Sequence, residues 1–242
     1  MRDPKERLIF PLDFSDLKEA LFWAEKLTPY IGTFKIGLEL FVKSGPKAIE
    51  KVKKKTGARI FLDLKLHDIP NTVSAAVKVA SSYGVDFLTV HVLSGRKALE
   101  EAVKAAEGGL KILAVTLLTS LDKADLLELG FNGEYLYKTE DLVYKLSFLA
   151  QSVGCDGIVS SAKEVARIKE AFPHLITVVP GIRLEDSPQR DDQVRTATPY
   201  EAILNGADFL VVGRPIRLSQ DPVATCLQIH EEIKKAIEAK NV

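Results

Sequence analysis

Residues Arg59–Val92 read RIFLDLKLHDIPNTVSAAVKVASSYGVDFLTVHV. The stretch opens on Arg59–Lys65 (RIFLDLK) and closes on Phe87–Val92 (FLTVHV), two short, near-continuous apolar runs. Such runs are typical of strands buried on both faces, as in a parallel sheet covered by helices. Between them, Val73, Ala76, Val77 and Ala80 recur at helical spacing over Thr72–Tyr83. The stretch is therefore a strand–helix–strand unit.

The same rhythm extends in both directions. Further strands are expected at Leu8–Phe14, Thr33–Leu38, Lys111–Leu118, Gly157–Ser160, Ile176–Pro180 and Phe209–Gly213. Helices are expected at Leu17–Thr28, Gly45–Thr56, Arg96–Ala106, Asp122–Leu129, Glu140–Val153, Ala162–Ala171, Pro199–Asn205 and Asp221–Ala239. Eight strands alternating with helices predict a closed (β/α)₈ TIM barrel. An open doubly wound sheet fits less well, because no Gly-x-Gly-x-x-Gly turn follows the first strand. The 242 residues sit near the ~250 usual for a barrel. No linker or change of composition divides the chain, so one domain over residues 1–242 is expected.

Composition narrows the function. Lys and Arg total 33 against 33 Asp and Glu, which excludes a generally basic nucleic-acid binder. An apolar fraction of 46% at zero net charge excludes a disordered chain. Cys155 and Cys226 are too few for a disulfide scaffold and read as buried thiols in a reducing compartment. The start, Met1–Arg7, is charged, and the apolar run after it stops at Pro11 and Asp13, unlike a signal peptide. A cytoplasmic protein with no membrane or nucleic-acid partner is expected.

Barrel chemistry gathers at the C-terminal ends of the strands. Here those ends carry Asp13, Lys35, Asp63 with Lys65, His91, Thr119, Pro180-Gly181 and Gly213-Arg214. Charges inside apolar strands are costly unless paired. Asp63 and Lys65, two apart in a strand, would face the same side about 7 Å apart. Asp68 follows just past the strand, and Lys35 comes from the neighbouring one. An alternating array of this kind suits a lysine acid held against a developing carbanion. It reads equally as a salt bridge that satisfies the barrel interior. Loops after strands seven and eight commonly hold phosphate, and Gly213 with the forked donors of Arg214 suits that role. Arg183 and Arg214 could also form surface ion pairs. The polar segment Arg183–Thr198 breaks the rhythm, and a loop of that length is usually functional or disordered. His91 reads as a hydrogen-bonded core residue, and no His/Cys/carboxylate spacing suggests zinc.

The string DLKLHDIPNT at Asp63–Thr72 resembles the signature of the orotidine 5′-phosphate decarboxylase family. Further matches follow in order: LDF at Asp13, FKIG at Lys35, LTS at Thr119, VPGIR at Arg183, DDQ at Gln193 and VGRPI at Arg214. The resemblance implies conversion of orotidine 5′-phosphate (OMP) to UMP and CO₂, the last step of de novo UMP synthesis, without metal or organic cofactor. It implies that Lys65 protonates C6 while Lys35, Asp63 and Asp68 complete the charged array. By the same resemblance Asp13 would bind ribose and Thr119 the pyrimidine. Arg183, Gln193, Gly213 and Arg214 would hold the phosphate, Gln193 would also reach the base, and Pro180 belongs to the substrate contacts. It further implies a homodimer in which Asp68, Ile69 and Thr72 enter the neighbouring subunit's site.

Two other functions compete. Magnesium-dependent sugar-phosphate lyases and decarboxylases of the same superfamily share the DxKxxD core. They resemble the chain less, offering a glutamate for metal where Lys35 stands and lacking HDIPNT. A non-catalytic nucleotide-phosphate binder would use Arg183, Gln193 and Arg214. It would leave Lys35, Asp63, Lys65 and Asp68 unexplained.

Overall fold

A computed structural model describes residues 3–131, 133–184 and 196–240. Its strands are β1 (Leu8–Pro11), β2 (Thr33–Gly37), β3 (Arg59–Leu66), β4 (Phe87–His91), β5 (Lys111–Val115), β6 (Gly157–Val159), β7 (Ile176–Val179) and β8 (Phe209–Val211). They pair in chain order, all parallel, and β8 returns to β1. The expected (β/α)₈ barrel is the observed architecture. The helices are α1 (Pro4–Arg7), α2 (Leu17–Leu27), α3 (Leu38–Ser44), α4 (Pro46–Thr56), α5 (Pro70–Ser82), α6 (Arg96–Ala105), α7 (Lys123–Glu128) and α8 (Gly133–Tyr137). They continue with α9 (Thr139–Ser152), α10 (Ala162–Ala171), α11 (Pro199–Leu204), α12 (Arg214–Arg217) and α13 (Pro222–Lys240). No helix among the described residues is long and apolar enough to cross a membrane.

Several strands stop earlier than expected. β1 ends at Pro11, which has no N–H to donate, although Leu12 N–H still reaches the Lys35 carbonyl at 2.8 Å. β5 ends at Val115, and Leu117 and Leu118 turn into the barrel mouth. Leu38, expected at the end of β2, instead opens helix α3, which buries Leu40 and leaves Leu38 exposed. A short apolar run cannot by itself distinguish strand from helix.

The pleat sorts the core into two layers. Leu8 and Phe10, Ile60 and Leu62, Ile112 and Ala114 join the large cluster shared with the helices. The residues between them turn inward, and Ile9, Phe61, Phe87, Leu113, Val178 and Phe209 form a separate apolar cluster. Side chains on a strand alternate with period two, so the next inward positions lie one layer higher, toward the C-terminal ends. They are Pro11, Lys35, Asp63, Thr89, Val115, Val159, Pro180 and Val211. An apolar floor thus carries a ring with Lys35 and Asp63 in it.

The strand starts are pinned by a repeated Gly-x-Asp ahead of β4, β6 and β8. Asp86, Asp156 and Asp208 accept the N–H of Ile60, Ile112 and Thr177 at 2.8, 2.8 and 2.9 Å. Each carboxylate satisfies the second amide of the neighbouring strand at the N-terminal end of the barrel. That end is braced, and the opposite end remains for chemistry.

Candidate active site

A cavity of about 440 Å³ opens at the C-terminal ends of the strands, within the size range of small-molecule sites. Phe61 from the apolar floor lines it, together with Pro11, Lys35, Asp63, Val115, Val159, Pro180 and Val211 from the ring above. Asp13, Lys65, Thr119, Arg183, Gly213 and Arg214 also line it, so nine of the expected site residues converge there: Asp13, Lys35, Asp63, Lys65, Thr119, Pro180, Arg183, Gly213 and Arg214. Asp68, Ile69 and Thr72 do not line it and stand exposed at the start of α5. Gln193 lies outside the described residues, as does most of the Arg183–Thr198 segment. The near ends of that segment are joined by a bridge of Ile182 to Ala197, with Arg183 N–H on the Ala197 carbonyl at 2.9 Å.

The charged side chains form one chain of contacts. Lys35 Nζ lies 3.1 Å from Asp13 Oδ1 and 3.4 Å from Asp63 Oδ2. Lys65 Nζ donates to both Asp63 oxygens at 2.9 Å. The Lys35 and Asp63 side chains are only 12% and 11% exposed, whereas Asp13 is 51% exposed and Lys65 34%. Gly37 leaves room for this packing, since a Cβ there would lie 3.0 Å from both Asp13 Oδ1 and Lys35 Nζ.

Burial opposes the charged form of Lys35, but Asp63 and Asp13 outweigh it and hold its pKa above the ordinary lysine value. Burial likewise opposes ionised Asp63. Lys35 and Lys65, with hydrogen bonds from Lys65 and Thr89, outweigh it and hold the carboxyl below its ordinary value. Asp63 is thus an anion flanked by two cations in a mostly buried setting, where charge acts strongly.

The approach of Lys65 to Asp63 differs from the regular pleat the spacing suggested. Lys65 has φ 48, the left-handed region, the one non-glycine residue among those described with positive φ. The β3–β4 register slips between Leu62 and Leu66. A side-chain-bearing residue in this conformation costs about 1–2 kcal/mol, so its surroundings must hold it.

The same cavity is lined by Arg183, after β7, and by Arg214 and Arg217 of α12, with Gly213 just before them. A Cβ on Gly213 would meet Pro11 Cγ at 2.8 Å, so only glycine brings β8 this close to β1. Arg217 was missed from sequence, although i, i+3 spacing from Arg214 puts both on one helical face. It donates to the Asp13 carbonyl at 3.0 Å and lies over the Phe14 ring. Ser160 was also missed. Its Oγ is buried without a hydrogen-bond partner among the described residues, and the residue lines the cavity. A bound molecule could satisfy that hydroxyl.

His91 is a core residue, as expected. It is buried, its Nδ1 accepts from Leu93 N–H at 3.3 Å, and its ring stacks on His67 at 5.3 Å. Burial, then the charges of His67 and Lys65, lower its pKa from 6.5 to about 4. Between those values the unfolded chain binds a proton that the folded chain refuses. The contribution of His91 is therefore fully present above pH 6.5 and fades as pH falls toward about 4. Its size is at most roughly 3 kcal/mol. Denaturant melts of wild type and His91→Asn across this window test it. The wild type should lose more stability on acidification than the variant, and parallel losses would refute the assignment.

Comparison with known proteins agrees with this geometry. The family model described as "Orotidine 5'-phosphate decarboxylase / HUMPS family" matches residues 6–229. The chain is 47% identical over 233 residues to an orotidine 5′-phosphate decarboxylase of Nitrosomonas eutropha, covering 96% of this chain and 98% of the relative. It is 42% identical over 240 residues to one of Desulfosudis oleivorans, covering 98% and 96%. The crystal structure of orotidine 5′-phosphate decarboxylase from Lactobacillus acidophilus superimposes with a TM-score of 0.77 at 34% identity, covering 93% of this chain and 98% of that one. With the match extending along the barrel from α1 into α13, through every strand that lines the charged cavity, the chain belongs to the orotidine 5′-phosphate decarboxylase / HUMPS family.

Proposed function

We propose that this protein decarboxylates OMP to UMP and CO₂, the last step of de novo UMP synthesis, as one barrel domain acting without metal or organic cofactor. The observation that carries the reading is the chain of contacts Asp13–Lys35–Asp63–Lys65, which shares one cavity with Arg183, Arg214 and Arg217. The phosphate lies with Arg183, Gly213 and Arg214, and Gln193 is assigned to phosphate and base. Asp13 and Lys35 hold the ribose, and Pro180 and Thr119 border the pyrimidine. The substrate carboxylate then faces ionised Asp63, which disfavours it, and C6 faces the Lys65 ammonium. The C6–carboxylate bond breaks, its electron pair stays on C6, and CO₂ leaves. Lys65 Nζ supplies the proton that makes UMP. No cofactor delocalises that pair, so the required acceleration lies near ~10¹⁷-fold, for which preorganised charge is the available source. Contacts to the remote phosphate supply binding energy that orients the reacting base.

Asp68, Ile69 and Thr72 enter the site of a second copy in a homodimer. What supports this is their exposure in a single chain, with Ile69 67% exposed.

The magnesium-dependent sugar-phosphate reading is weaker at Lys35. An ammonium 3.4 Å from Asp63 repels a divalent cation from that carboxylate. The two readings part in a single assay. Protein treated with chelator should consume OMP at the full rate, followed by loss of pyrimidine absorbance. Activity that needs added magnesium would favour the alternative, and tight UMP binding without turnover would favour a nucleotide-phosphate binder.

A further inference from the structure

Of the ring above the apolar floor, Thr89 alone is absent from the cavity wall, and it is fully buried. It sits on β4 opposite the slip in β3, where four steps from Leu62 to Leu66 face two steps from Leu88 to Val90. A strand amide displaced from its ladder must find another acceptor. Lys65 N–H finds Thr89 Oγ1 at 2.8 Å. The hydroxyl proton goes to Asp63 Oδ1 at 3.0 Å, and the same Oδ1 accepts from Lys65 Nζ at 2.9 Å. The contacts close a ring, so the backbone amide and the ammonium of Lys65 are both referred to one hydroxyl. A hydroxyl has one proton and two lone pairs, so it can make both bonds at once.

We propose that Thr89 is a positioning residue for the reaction. Its hydroxyl holds Lys65 in its left-handed conformation and turns Asp63 so that the ammonium is fixed over the cavity. Thr89 touches no part of the cavity and acts only through these two neighbours. The inference rests on the decarboxylase reading for its kinetic consequence, and on geometry alone for its structural one.

Two substitutions separate the hydroxyl from the methyl. Thr89→Val keeps the buried volume and removes both hydrogen bonds. Misplacing a catalytic group by an ångström can cost about 100-fold, so kcat on OMP should fall between about 10- and 100-fold, with KM within about threefold. Thr89→Ser keeps the hydroxyl and loses a buried methyl. Its Tm should fall by a few degrees while kcat stays within about threefold of wild type. Hydrogen exchange at the Lys65 amide reads the geometry without any turnover. The amide should be protected in wild type and Thr89→Ser, and unprotected in Thr89→Val. Wild-type kcat in Thr89→Val, equal kcat losses in both variants, a loss confined to KM, or unchanged amide protection would each overturn the proposal. Wild-type protein silent on OMP would instead sink the decarboxylase reading, and the exchange experiment would still judge Thr89.

Discussion

Lys65→Ala should lower kcat on OMP by about 10⁴-fold or more, the largest loss of any single substitution. Two functions go with the ammonium. A positioned general acid contributes roughly 10²–10⁴-fold, and preorganised charge at the reacting atom about 10²–10³-fold more. Such contributions are not additive, so the smaller combined figure is the firm expectation. Lys65 is the more exposed lysine of the cluster, 34% against 12% for Lys35, and its backbone is bent to bring it to Asp63. UMP binding should survive within about tenfold, because Arg183, Arg214 and Arg217 line the cavity independently of β3. A variant turning over within tenfold of wild type would remove Lys65 from the mechanism. The same variant probes the shared site. Mixed with Asp68→Asn subunits at equal concentration, it should recover about a quarter of wild-type activity. Half of the twofold-symmetric dimers are then mixed, and each has one intact site. No recovery after confirmed subunit exchange would contradict the contribution of Asp68 across the dimer.

Asp63→Asn should follow, with at least about a 10³-fold loss in kcat and a loss of about 3 kcal/mol in stability. Asp63 is the anion between two cations and accepts from Thr89 as well. The amide keeps the shape and removes the charge. Lys35, only 12% exposed, is left beside another ammonium, and breaking a buried pair from one side typically costs 3–5 kcal/mol. The pKa of Lys35, now held above the ordinary value mainly by Asp63, must fall. Residual activity should therefore decline at lower pH than in wild type. A pH–rate profile and a denaturant melt measure both effects. An unshifted profile with wild-type stability would show that Asp63 does not hold Lys35 charged.

The barrel was legible because strands buried on both faces leave a signal that does not depend on loops. The boundaries were less so, as at Leu38, where one apolar run passes from strand to helix. The charged ring was legible because Lys35 and Asp63 interrupt apolar strands, where charge needs a reason. The contact between Asp63 and Lys65 was foreseen, but from a regular pleat, and β3 is not regular there. A threonine such as Thr89 inside FLTVH looks like any β-branched filler, and only its hydrogen bonds give it away. Arg217 could have been found from its helical spacing to Arg214. Ser160 could not, since an unsatisfied hydroxyl is a property of its surroundings. Asp68, Ile69 and Thr72 follow the β3 motif in sequence yet leave the cavity of their own chain, because α5 begins there and turns them outward.

On this mechanism the protein breaks the C6–carboxylate bond of OMP with its own charged side chains. The most direct test is a product balance with metal-free protein and OMP in deuterated water. One CO₂ and one UMP should form per OMP consumed, with deuterium at C6 of the UMP. OMP recovered unchanged, or consumed only when a divalent metal is restored, would rule out metal-free decarboxylation by these side chains.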